Sequence, residues 1–259
     1  MATRTVTDDA RIALACLDLT SLNDDDTDAV VDALCERASG RHGPVAALCV
    51  WPRFARLARD RVAPAVKVAA VANFPEGTID VQRTRREVGA IVQAGAHEVD
   101  VVLPYRALMA DDEAVCAAVL RAARASSEGL TLKVILETGE LRDPTLIARA
   151  ARLALAEGAE FLKTSTGKTP ISATPQAADT MLRAIAADEA ARTRVGFKAS
   201  GGIRTVAAAA LYIDAVAEVL GPGALTPARF RIGASSLLAD IEAVLSGAPP
   251  TPETPRGTY

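Results

Sequence analysis

The chain has 259 residues, half of them hydrophobic, with 24% charged residues and a formal net charge of −3 at pH 7. This balance excludes disordered, collagen-like and low-complexity classes, and no long Lys/Arg cluster indicates a nucleic-acid partner. The aromatic residues (five Phe, three Tyr, one Trp) are too few and too scattered to line a base-stacking groove. We therefore expect a globular protein with one large core.

The N-terminal region predicts neither export nor a membrane anchor. Asp8 and Asp9 precede a short apolar stretch, where a signal peptide would need a basic start and a longer apolar segment. No uninterrupted apolar run reaches the ~18 residues of a membrane span. The cysteines form no CxxC pair, which indicates reduced, mostly buried thiols: Cys16, Cys35, Cys49 and Cys116. We expect a cytoplasmic protein with no membrane partner.

Short β-branched or apolar runs recur along the chain and predict eight strands. In chain order they are Ile12–Leu19, Ala46–Trp51, Val66–Val71, Glu98–Leu103, Thr131–Leu136, Glu160–Lys163, Val195–Ala199 and Phe230–Ile232. Helical patterns lie between them, for example over Thr27–Ala38 and Asp80–Ala94. Every predicted strand is followed by a predicted helix.

Three helix-to-strand joints place a glycine where a helix ends in the left-handed conformation, at Gly95, Gly129 and Gly158. The last five predicted strands start at 98, 131, 160, 195 and 230, so their starts are 33, 29, 35 and 35 residues apart, the length of a βα unit. Eight such units fit a closed barrel better than an open doubly wound sheet. The sequence predicts an α/β fold, a single (β/α)8 TIM barrel over residues 1–246, and a Pro-rich, flexible tail over 247–259.

Two lysines stand at the ends of neighbouring predicted strands, where barrel enzymes carry reactive groups. Lys163 ends one run and Lys198 ends Val195-Gly196-Phe197-Lys198 in the next. Adjacent strands lie about 4.8 Å apart, so two inward-facing lysines would depress each other's pKa, and a neutral amine is a nucleophile towards carbonyls. The alternative is that each lysine extends to solvent, but a buried lysine repeated on the next strand would cost several kcal/mol without a partner.

Asp100 is the expected partner of these lysines. It interrupts the run Glu98–Leu103, which should be buried on both faces of a parallel sheet, and a buried carboxylate can hold one lysine cationic and shuttle protons. A surface carboxylate on an edge strand is the alternative, against which the flanking valines argue. Asp18 interrupts its own run in the same way, and we expect it in a polar network at the barrel mouth.

Glycine-rich loops after the last two predicted strands indicate a phosphate site, because backbone N–H groups and a helix N-terminus converge there in barrels. One loop carries Gly201 and Gly202, and the other carries Gly233 with Ser235 and Ser236. Lys168 lies near in sequence to Lys163. Ordinary turn chemistry is the alternative for any single pair of glycines.

Other polar features predict no metal or cofactor site. Asp24-Asp25-Asp26 precedes a helical pattern and is explained as acids in a first helical turn. His42 and His97 are the only histidines and lie far apart, which leaves a zinc site without its usual ligands. Cys49 is interpreted as a small buried hydrophobe rather than a pocket residue.

These motifs together resemble one family. The segments Leu17–Thr20, Asn23–Thr27, Glu98–Val102, Phe161–Gly167 and Lys198–Thr205 are similar, in this order, to those of the deoxyribose-phosphate aldolases, which are class I aldolases. The resemblance runs from about residue 11 to 240. It implies a Schiff-base enzyme without a cofactor that reversibly cleaves 2-deoxy-D-ribose 5-phosphate to glyceraldehyde 3-phosphate and acetaldehyde.

The resemblance also implies residue roles. Lys163 would be the Schiff-base lysine, Lys198 the second lysine that perturbs it, and Asp100 the carboxylate of the proton relay. The implied phosphate site consists of Gly167, Lys168, Gly201, Gly202, Gly233, Ser235 and Ser236. Some members carry a C-terminal tyrosine that reaches into the site, and Tyr259 would be its counterpart. The implied partners are small-molecule phosphosugar and aldehyde substrates, with a homodimer left open.

Two other functions remain open on the sequence. A transaldolase-like enzyme would also use a Schiff-base lysine in a barrel, but on a different phosphosugar. A non-catalytic sugar-phosphate binding protein would be of another class altogether. Intact Lys163, Lys198 and Asp100 argue against the second, because a protein that needs only affinity gains nothing from a destabilising buried amine.

Overall fold

The structure is a computed structural model that describes residues 4–248. Eight parallel strands close into a barrel, each paired with the strands before and after it in the chain, and the last pairs with the first. They are β1 (Leu17–Thr20), β2 (Ala47–Val50), β3 (Lys67–Ala72), β4 (Glu98–Val102), β5 (Thr131–Ile135), β6 (Phe161–Lys163), β7 (Gly196–Ser200) and β8 (Phe230–Ala234). The predicted (β/α)8 barrel is confirmed.

Helices surround the barrel in the order α1 (Val6–Ala15), α2 (Asp28–Arg37), α3 (Ala55–Arg61), α4 (Val81–Gln93), α5 (Tyr105–Met109), α6 (Glu113–Ser126), α7 (Thr138–Leu141), α8 (Pro144–Ala156), α9 (Pro175–Ala187), α10 (Val206–Val219) and α11 (Leu237–Leu245). Within residues 4–248, none of them is long and apolar enough to cross a membrane. Short 3₁₀ turns occupy Pro52–Phe54 and Pro222–Ala224, and Ser39–Gly40 pairs with Gly43–Pro44 in a small hairpin.

The helix boundaries follow from capping chemistry. A side-chain oxygen of the preceding residue accepts a backbone N–H at the start of seven helices: from Thr5, Thr27, Asp80, Asp112, Asp143, Thr174 and Thr205. Gly95, Gly129 and Gly158 all have positive φ, of 78°, 81° and 86°, and each precedes a strand. Because glycine adopts this conformation without strain, each of these residues lets the chain leave a helix and start the next strand.

Two expectations about elements are wrong. The predicted strand Ile12–Leu19 is helical in its first half, since α1 runs to Ala15 and β1 begins only at Leu17. An apolar run shared by the end of a helix and the start of a strand has no internal boundary that periodicity can detect. The last strand extends to Ala234, so that Gly233 lies inside β8 and not in the loop after it.

Apolar side chains fill the layer between the barrel and its helices, while the barrel interior holds charged groups. Seven buried charged residues project from the strands: Asp18, Glu98, Asp100, Lys133, Lys163, Lys198 and Arg231. Barrel enzymes carry their reactive groups at the C-terminal ends of the strands. In this barrel, the loops after β6, β7 and β8 lie at that end. The predicted tail lies outside the described residues from 249 onward, and the boundary at 246 and 247 remains a prediction.

Candidate active site

Asp100 stands at the centre of the charged interior. Its Oδ2 atom lies 2.8 Å from the Nζ atoms of both Lys163 and Lys198, and its Oδ1 atom lies 2.8 Å from the Nζ atom of Lys133. Asp100, Lys133 and Lys198 are fully buried, and Lys163 is 1% exposed. One carboxylate therefore joins three amines in a space closed to bulk water.

The two lysines predicted from the sequence are direct neighbours. Lys163 is the last residue of β6, and it pairs in register with Lys198 in β7. The parallel register thus places both amines at the same height on adjacent strands, and the predicted Lys163–Lys198–Asp100 grouping is present in the structure.

A second set of ion pairs extends the cluster towards the N-terminal end of the barrel. Asp18 Oδ2 lies 2.5 Å from Lys198 Nζ, and Asp18 Oδ1 lies 2.6 Å from Arg231 Nη1. Arg231 also donates to Glu98 at 2.7 Å, and Lys133 Nζ lies 2.5 Å from Glu98. Arg231 and Glu98 line a cavity of about 590 Å³ at the N-terminal end. Asp18 belongs to a polar network, as expected. This network lies in the barrel interior, however, and not at the barrel mouth.

Charge balance singles out one amine in this cluster. Three carboxylates lie in the cluster, and each contacts at least two cationic side chains: Asp18, Glu98 and Asp100. Their negative charges are equal in number to the positive charges of Lys133, Lys198 and Arg231. Lys163 contacts only Asp100 in these pairs. The cluster is therefore neutral when Lys163 carries no proton, and burying an uncompensated charge is costly.

The surrounding charges fix the ionisation of the other members. Burial alone would raise the pKa of Asp100, but the positive charges of the neighbouring lysines, Lys133 foremost, outweigh it and hold this pKa well below its ordinary value. Burial alone would lower the pKa of Lys198, but the carboxylates of Asp100 and Asp18 raise it above its ordinary value. The expectation that Lys198 has a depressed pKa is wrong, because it counted the neighbouring lysine and not the two carboxylates.

The loops after β6 and β7 meet at the glycines predicted to bind phosphate. Gly167, Gly201 and Gly202 have φ of 80°, 88° and 80°. A Cβ on Gly201 would lie 2.6 Å from the Ser172 side chain and 3.3 Å from the Cα of Gly167, so only glycine allows this approach. Gly167 and Gly202 also line a cavity of about 720 Å³.

The remaining predicted phosphate residues are more dispersed. Ser235 and Ser236 are exposed immediately before α11, and the Ser236 side chain makes no capping hydrogen bond to the helix. Lys168 extends to the loop after β1, with its Nζ atom 3.6 Å from Asp24 Oδ1. Gly233 is buried in β8, where a Cβ would lie 3.0 Å from Lys198 Cε, so its absence of a side chain makes room for that lysine.

The acidic run Asp24-Asp25-Asp26 does not form a first helical turn as expected. Thr27 takes the cap position and α2 starts at Asp28. Asp26 is buried and accepts hydrogen bonds from the Ser21 hydroxyl and the Asn23 amide. The run therefore closes the loop after β1 beside the barrel mouth.

Sequence reasoning missed several members of the site. Lys133, Glu98 and Arg231 lie within predicted strands but were not singled out. Lys133 and Arg231 each interrupt an apolar run as Asp100 does, whereas Glu98 is the first residue of its strand. Cys49 is buried as expected, yet its Sγ atom lies 3.9 Å from Asp100 Oδ2, and burial raises its pKa. Tyr259 lies outside the described residues.

The fold and this cluster define a class: a (β/α)8 barrel whose buried interior pairs lysine amines with carboxylates, the groups found in barrel enzymes that act on carbonyl compounds through a lysine. Comparison with known proteins gives the family. The model of the DeoC/LacD family aldolases matches residues 12–243. A deoxyribose-phosphate aldolase of Agrobacterium fabrum is 45% identical over 244 residues, which cover 93% of each chain.

Solved structures of similar fold carry the same family name. The apo form of a candidate deoxyribose-phosphate aldolase from Toxoplasma gondii is 27% identical, with a TM-score of 0.85 over 93% of this chain and 98% of that one. A deoxyribose phosphate aldolase from Aeropyrum pernix, described as a tetramer, is 25% identical, with a TM-score of 0.72 over 93% of both chains. The chain belongs to the DeoC/LacD family of aldolases and is an enzyme of the carbon–carbon lyase class.

Proposed function

We propose that this aldolase reversibly cleaves 2-deoxy-D-ribose 5-phosphate to D-glyceraldehyde 3-phosphate and acetaldehyde through a Schiff base on Lys163. The observation that carries the proposal is the position of Lys163 at the end of β6, 2.8 Å from Asp100 within the buried charged cluster. The relative from Agrobacterium fabrum, named for this activity and 45% identical, supports the choice of substrate.

The reaction starts at the aldehyde carbon C1 of the open-chain sugar. The neutral amine of Lys163 adds to C1, and the carbinolamine loses water to give an iminium ion. Removal of the proton from the C3 hydroxyl then breaks the C2–C3 bond, and its electron pair moves into the iminium. Glyceraldehyde 3-phosphate leaves, the enamine takes up a proton at C2, and hydrolysis releases acetaldehyde and restores the amine.

Asp100 and Lys198 are proposed to move the protons in these steps. Asp100 Oδ2 lies 2.8 Å from both lysine Nζ atoms, so it connects the nucleophile to a second ionisable group. Lys198 is held cationic by Asp100 and Asp18, so it carries a proton that it can lend to the carbinolamine oxygen and take back when the loss of water and the later steps return one. A water molecule would carry the proton between this pair and the carbinolamine oxygen.

The test of the function is direct. The purified chain is expected to release acetaldehyde and glyceraldehyde 3-phosphate from deoxyribose 5-phosphate in equal amounts, measured by enzyme-coupled NADH oxidation for each product. A transaldolase-like enzyme would instead transfer a dihydroxyacetone unit between phosphosugars. Transfer without release of acetaldehyde would overturn the proposal.

The phosphate group is proposed to bind at Gly167, Lys168, Gly201, Gly202, Gly233, Ser235 and Ser236. The close approach of the β6 and β7 loops and the exposed N-terminus of α11 support this assignment, because backbone N–H groups at such positions attract anions. Gly233 would act indirectly, through the space that it leaves for Lys198.

Substituting Ser236→Asp should raise KM for deoxyribose 5-phosphate about tenfold or more, while KM for unphosphorylated deoxyribose changes less than about twofold. The new carboxylate repels the phosphate dianion, yet it suits the N-terminus of α11 and should leave the helix intact. Steady-state kinetics on both sugars measure this. The control is Ser39→Asp in the exposed hairpin, and equal losses on both sugars would count against the assignment.

Tyr259 is proposed to assist the exchange between iminium and enamine, by delivering a proton to or from C2. This proposal rests on the family resemblance, since the residue lies outside the described part of the chain. Tyr259→Phe should slow exchange of the acetaldehyde methyl protons with D₂O about tenfold or more, followed by NMR, while borohydride trapping on Lys163 stays near normal. Exchange at the full rate would show that the phenol takes no part.

We further propose that residues 1–246 form the catalytic domain, with 247–259 outside it, and that the enzyme acts in the cytoplasm as a homodimer. The tetramer from Aeropyrum pernix supports self-association in this family. Light scattering of the full chain gives the subunit number, and cell fractionation gives the location. A monomer at all concentrations, or an exported protein, would contradict these two assignments.

A further inference from the structure

Glu137 has an unusual backbone for its residue type. It lies two residues after the end of β5, with φ 56° and ψ 57°, in the left-handed region. For a residue with a side chain this conformation costs about 1–2 kcal/mol, so surrounding contacts must hold it there. Arg142, at the other end of α7, also has positive φ, of 57°.

The carboxylate of Glu137 is buried against the loop after β6. Its Oε2 atom accepts a hydrogen bond from the Thr166 hydroxyl at 2.5 Å, and both oxygens accept from the Thr166 backbone N–H at 3.3 Å. Its Oε1 atom accepts from the Thr169 hydroxyl at 3.3 Å. One side chain thus holds two points of the loop over residues 164–171, which begins immediately after Lys163.

The backbone of the same turn follows this loop from end to end. Leu136 N donates to Lys163 O, and Thr138 N donates to Thr164 O, each at 2.9 Å. Further along, a Cβ on Gly139 would lie 1.9 Å from Ile171 O, so the turn and the loop touch there without room for a side chain. The conformation of residues 164–171 therefore depends on the turn that Glu137 starts.

A hydrogen-bond chain connects Glu137 to the proposed phosphate site. The Thr166 hydroxyl donates to Glu137 and accepts from the backbone N–H of Lys168, at 3.0 Å. Gly167 lies between these two residues, and a Cβ on it would face Gly201 Cα in the β7 loop at 3.9 Å. The orientation of the Gly167 and Lys168 backbone is thereby set from Glu137.

Burial of this carboxylate is energetically unfavourable. Glu137 is 0% exposed, and burial raises its pKa more than its hydrogen bonds to Thr166 and Thr169 lower it. Among residues 4–248, no ion pair within 4.0 Å involves its carboxylate. A glutamate in strained backbone, buried at a cost beside the reactive lysine, fits a functional role better than a purely structural one.

We propose that Glu137 is a positioning residue, which fixes the loop over residues 164–171 so that its backbone receives the substrate phosphate while Lys163 receives the aldehyde. The proposal rests on the proposed function for the identity of the substrate. In this proposal, Glu137 keeps the phosphate-binding loop at the distance from Lys163 that the substrate requires. Its loss should therefore weaken phosphate recognition more than amine chemistry.

The test compares Glu137→Gln with Glu140→Gln. Glutamine keeps the size of the side chain but offers one acceptor oxygen where the carboxylate offers two, and its N–H₂ group faces a donor of the loop, so it cannot accept from both Thr166 and Thr169. Glu140 belongs to the same turn and, in the described structure, its side chain makes no hydrogen bond to residues 164–171. Both variants remove the same charge from nearly the same place.

The measurements are KM and kcat for deoxyribose 5-phosphate and deoxyribose, and the Kd of inorganic phosphate by calorimetry. In Glu137→Gln we expect KM for the phosphorylated sugar and the Kd of phosphate to rise about tenfold, with kcat on deoxyribose within about threefold of the unsubstituted enzyme. Removing a negative charge would by itself strengthen anion binding. A weaker affinity for phosphate is therefore opposite to the effect of charge and indicates that Glu137 positions the loop. Glu140→Gln should not weaken the affinity.

Several results would overturn the inference. They are unchanged or tighter phosphate binding in Glu137→Gln, equal losses on both sugars, or the same loss in Glu140→Gln. If Glu137→Gln does not fold, Thr166→Val removes the hydroxyl that joins Glu137 to Lys168 and should give the same selective loss, with Thr166→Ser restoring affinity. An unsubstituted chain that does not cleave deoxyribose 5-phosphate overturns the proposed function, while the phosphate Kd still decides the role of Glu137.

Discussion

Replacing Lys163 by alanine is expected to abolish cleavage of deoxyribose 5-phosphate and also the covalent trapping of acetaldehyde by borohydride. The reason is that the Schiff base needs this amine, and no binding interaction replaces a covalent intermediate. Removing Lys163 leaves Lys133, Lys198 and Arg231 to balance three carboxylates, so the buried cluster stays neutral. The variant should therefore fold, with circular dichroism and a thermal midpoint close to those of the unsubstituted enzyme.

Peptide mapping makes this result unambiguous. The chain contains five lysines, at 67, 133, 163, 168 and 198, and reduction of the iminium leaves an ethyl group on whichever amine reacted. Lys67→Ala is the control, because Lys67 is exposed at the first position of β3, at the N-terminal end of the barrel. An adduct on Lys198 or Lys168, or trapping that survives Lys163→Ala, would reassign the nucleophile.

The sequence was sufficient for the barrel and for the centre of the site. Eight alternating units leave few alternatives to closure, and positions at strand ends are read from the same runs that define the strands. Lys163 and Lys198 could be placed side by side because consecutive parallel strands pair in register at those residues. Asp100 could be found because a carboxylate within a run of valines has no place in a fully buried strand unless it is paired.

What the sequence did not reveal is mainly the pairing across the barrel. Lys133 is detectable by the rule that identified Asp100, since it lies between Leu132 and Val134 in a buried strand. The partnership of Glu98 with Arg231 joins residues 133 apart in sequence, and it depends on how the strands are staggered around the closed barrel. For the same reason the raised pKa of Lys198 was not foreseen.

Glu137 was missed for a different reason. Its significance lies in a left-handed backbone and in a loop that folds over it, neither of which a hydropathy pattern records. The boundary between α1 and β1 was missed because a continuous apolar run covers both. Local patterns locate elements and isolated charges, whereas turns and contacts between distant loops require the folded chain.

Asp100→Asn is expected to reduce kcat about 10²- to 10⁴-fold and to destabilise the fold by about 3–5 kcal/mol. Three amines donate to this carboxylate, so its loss leaves an excess positive charge in a buried cluster. The pKa of Asp100 is depressed, so its charge stabilises the native state above the unfolded pKa of about 4, and this contribution disappears as the pH falls through the folded value. The variant should lack this part of the acid dependence, measured by urea unfolding between pH 3 and pH 7.

A second substitution separates the two consequences of losing Asp100. Lys133→Met removes one cation that contacts Asp100, so in the double variant Lys198 and Arg231 balance Asp18 and Glu98 when Lys163 is neutral. We expect the double variant to regain at least half of the lost unfolding free energy, since no uncompensated charge remains buried. Turnover should stay as low as in Asp100→Asn, because the carboxylate between Lys163 and Lys198 is still missing. If turnover recovered together with stability, Asp100 would act only by balancing charge, and the proton relay would have to be assigned to Lys198 and water.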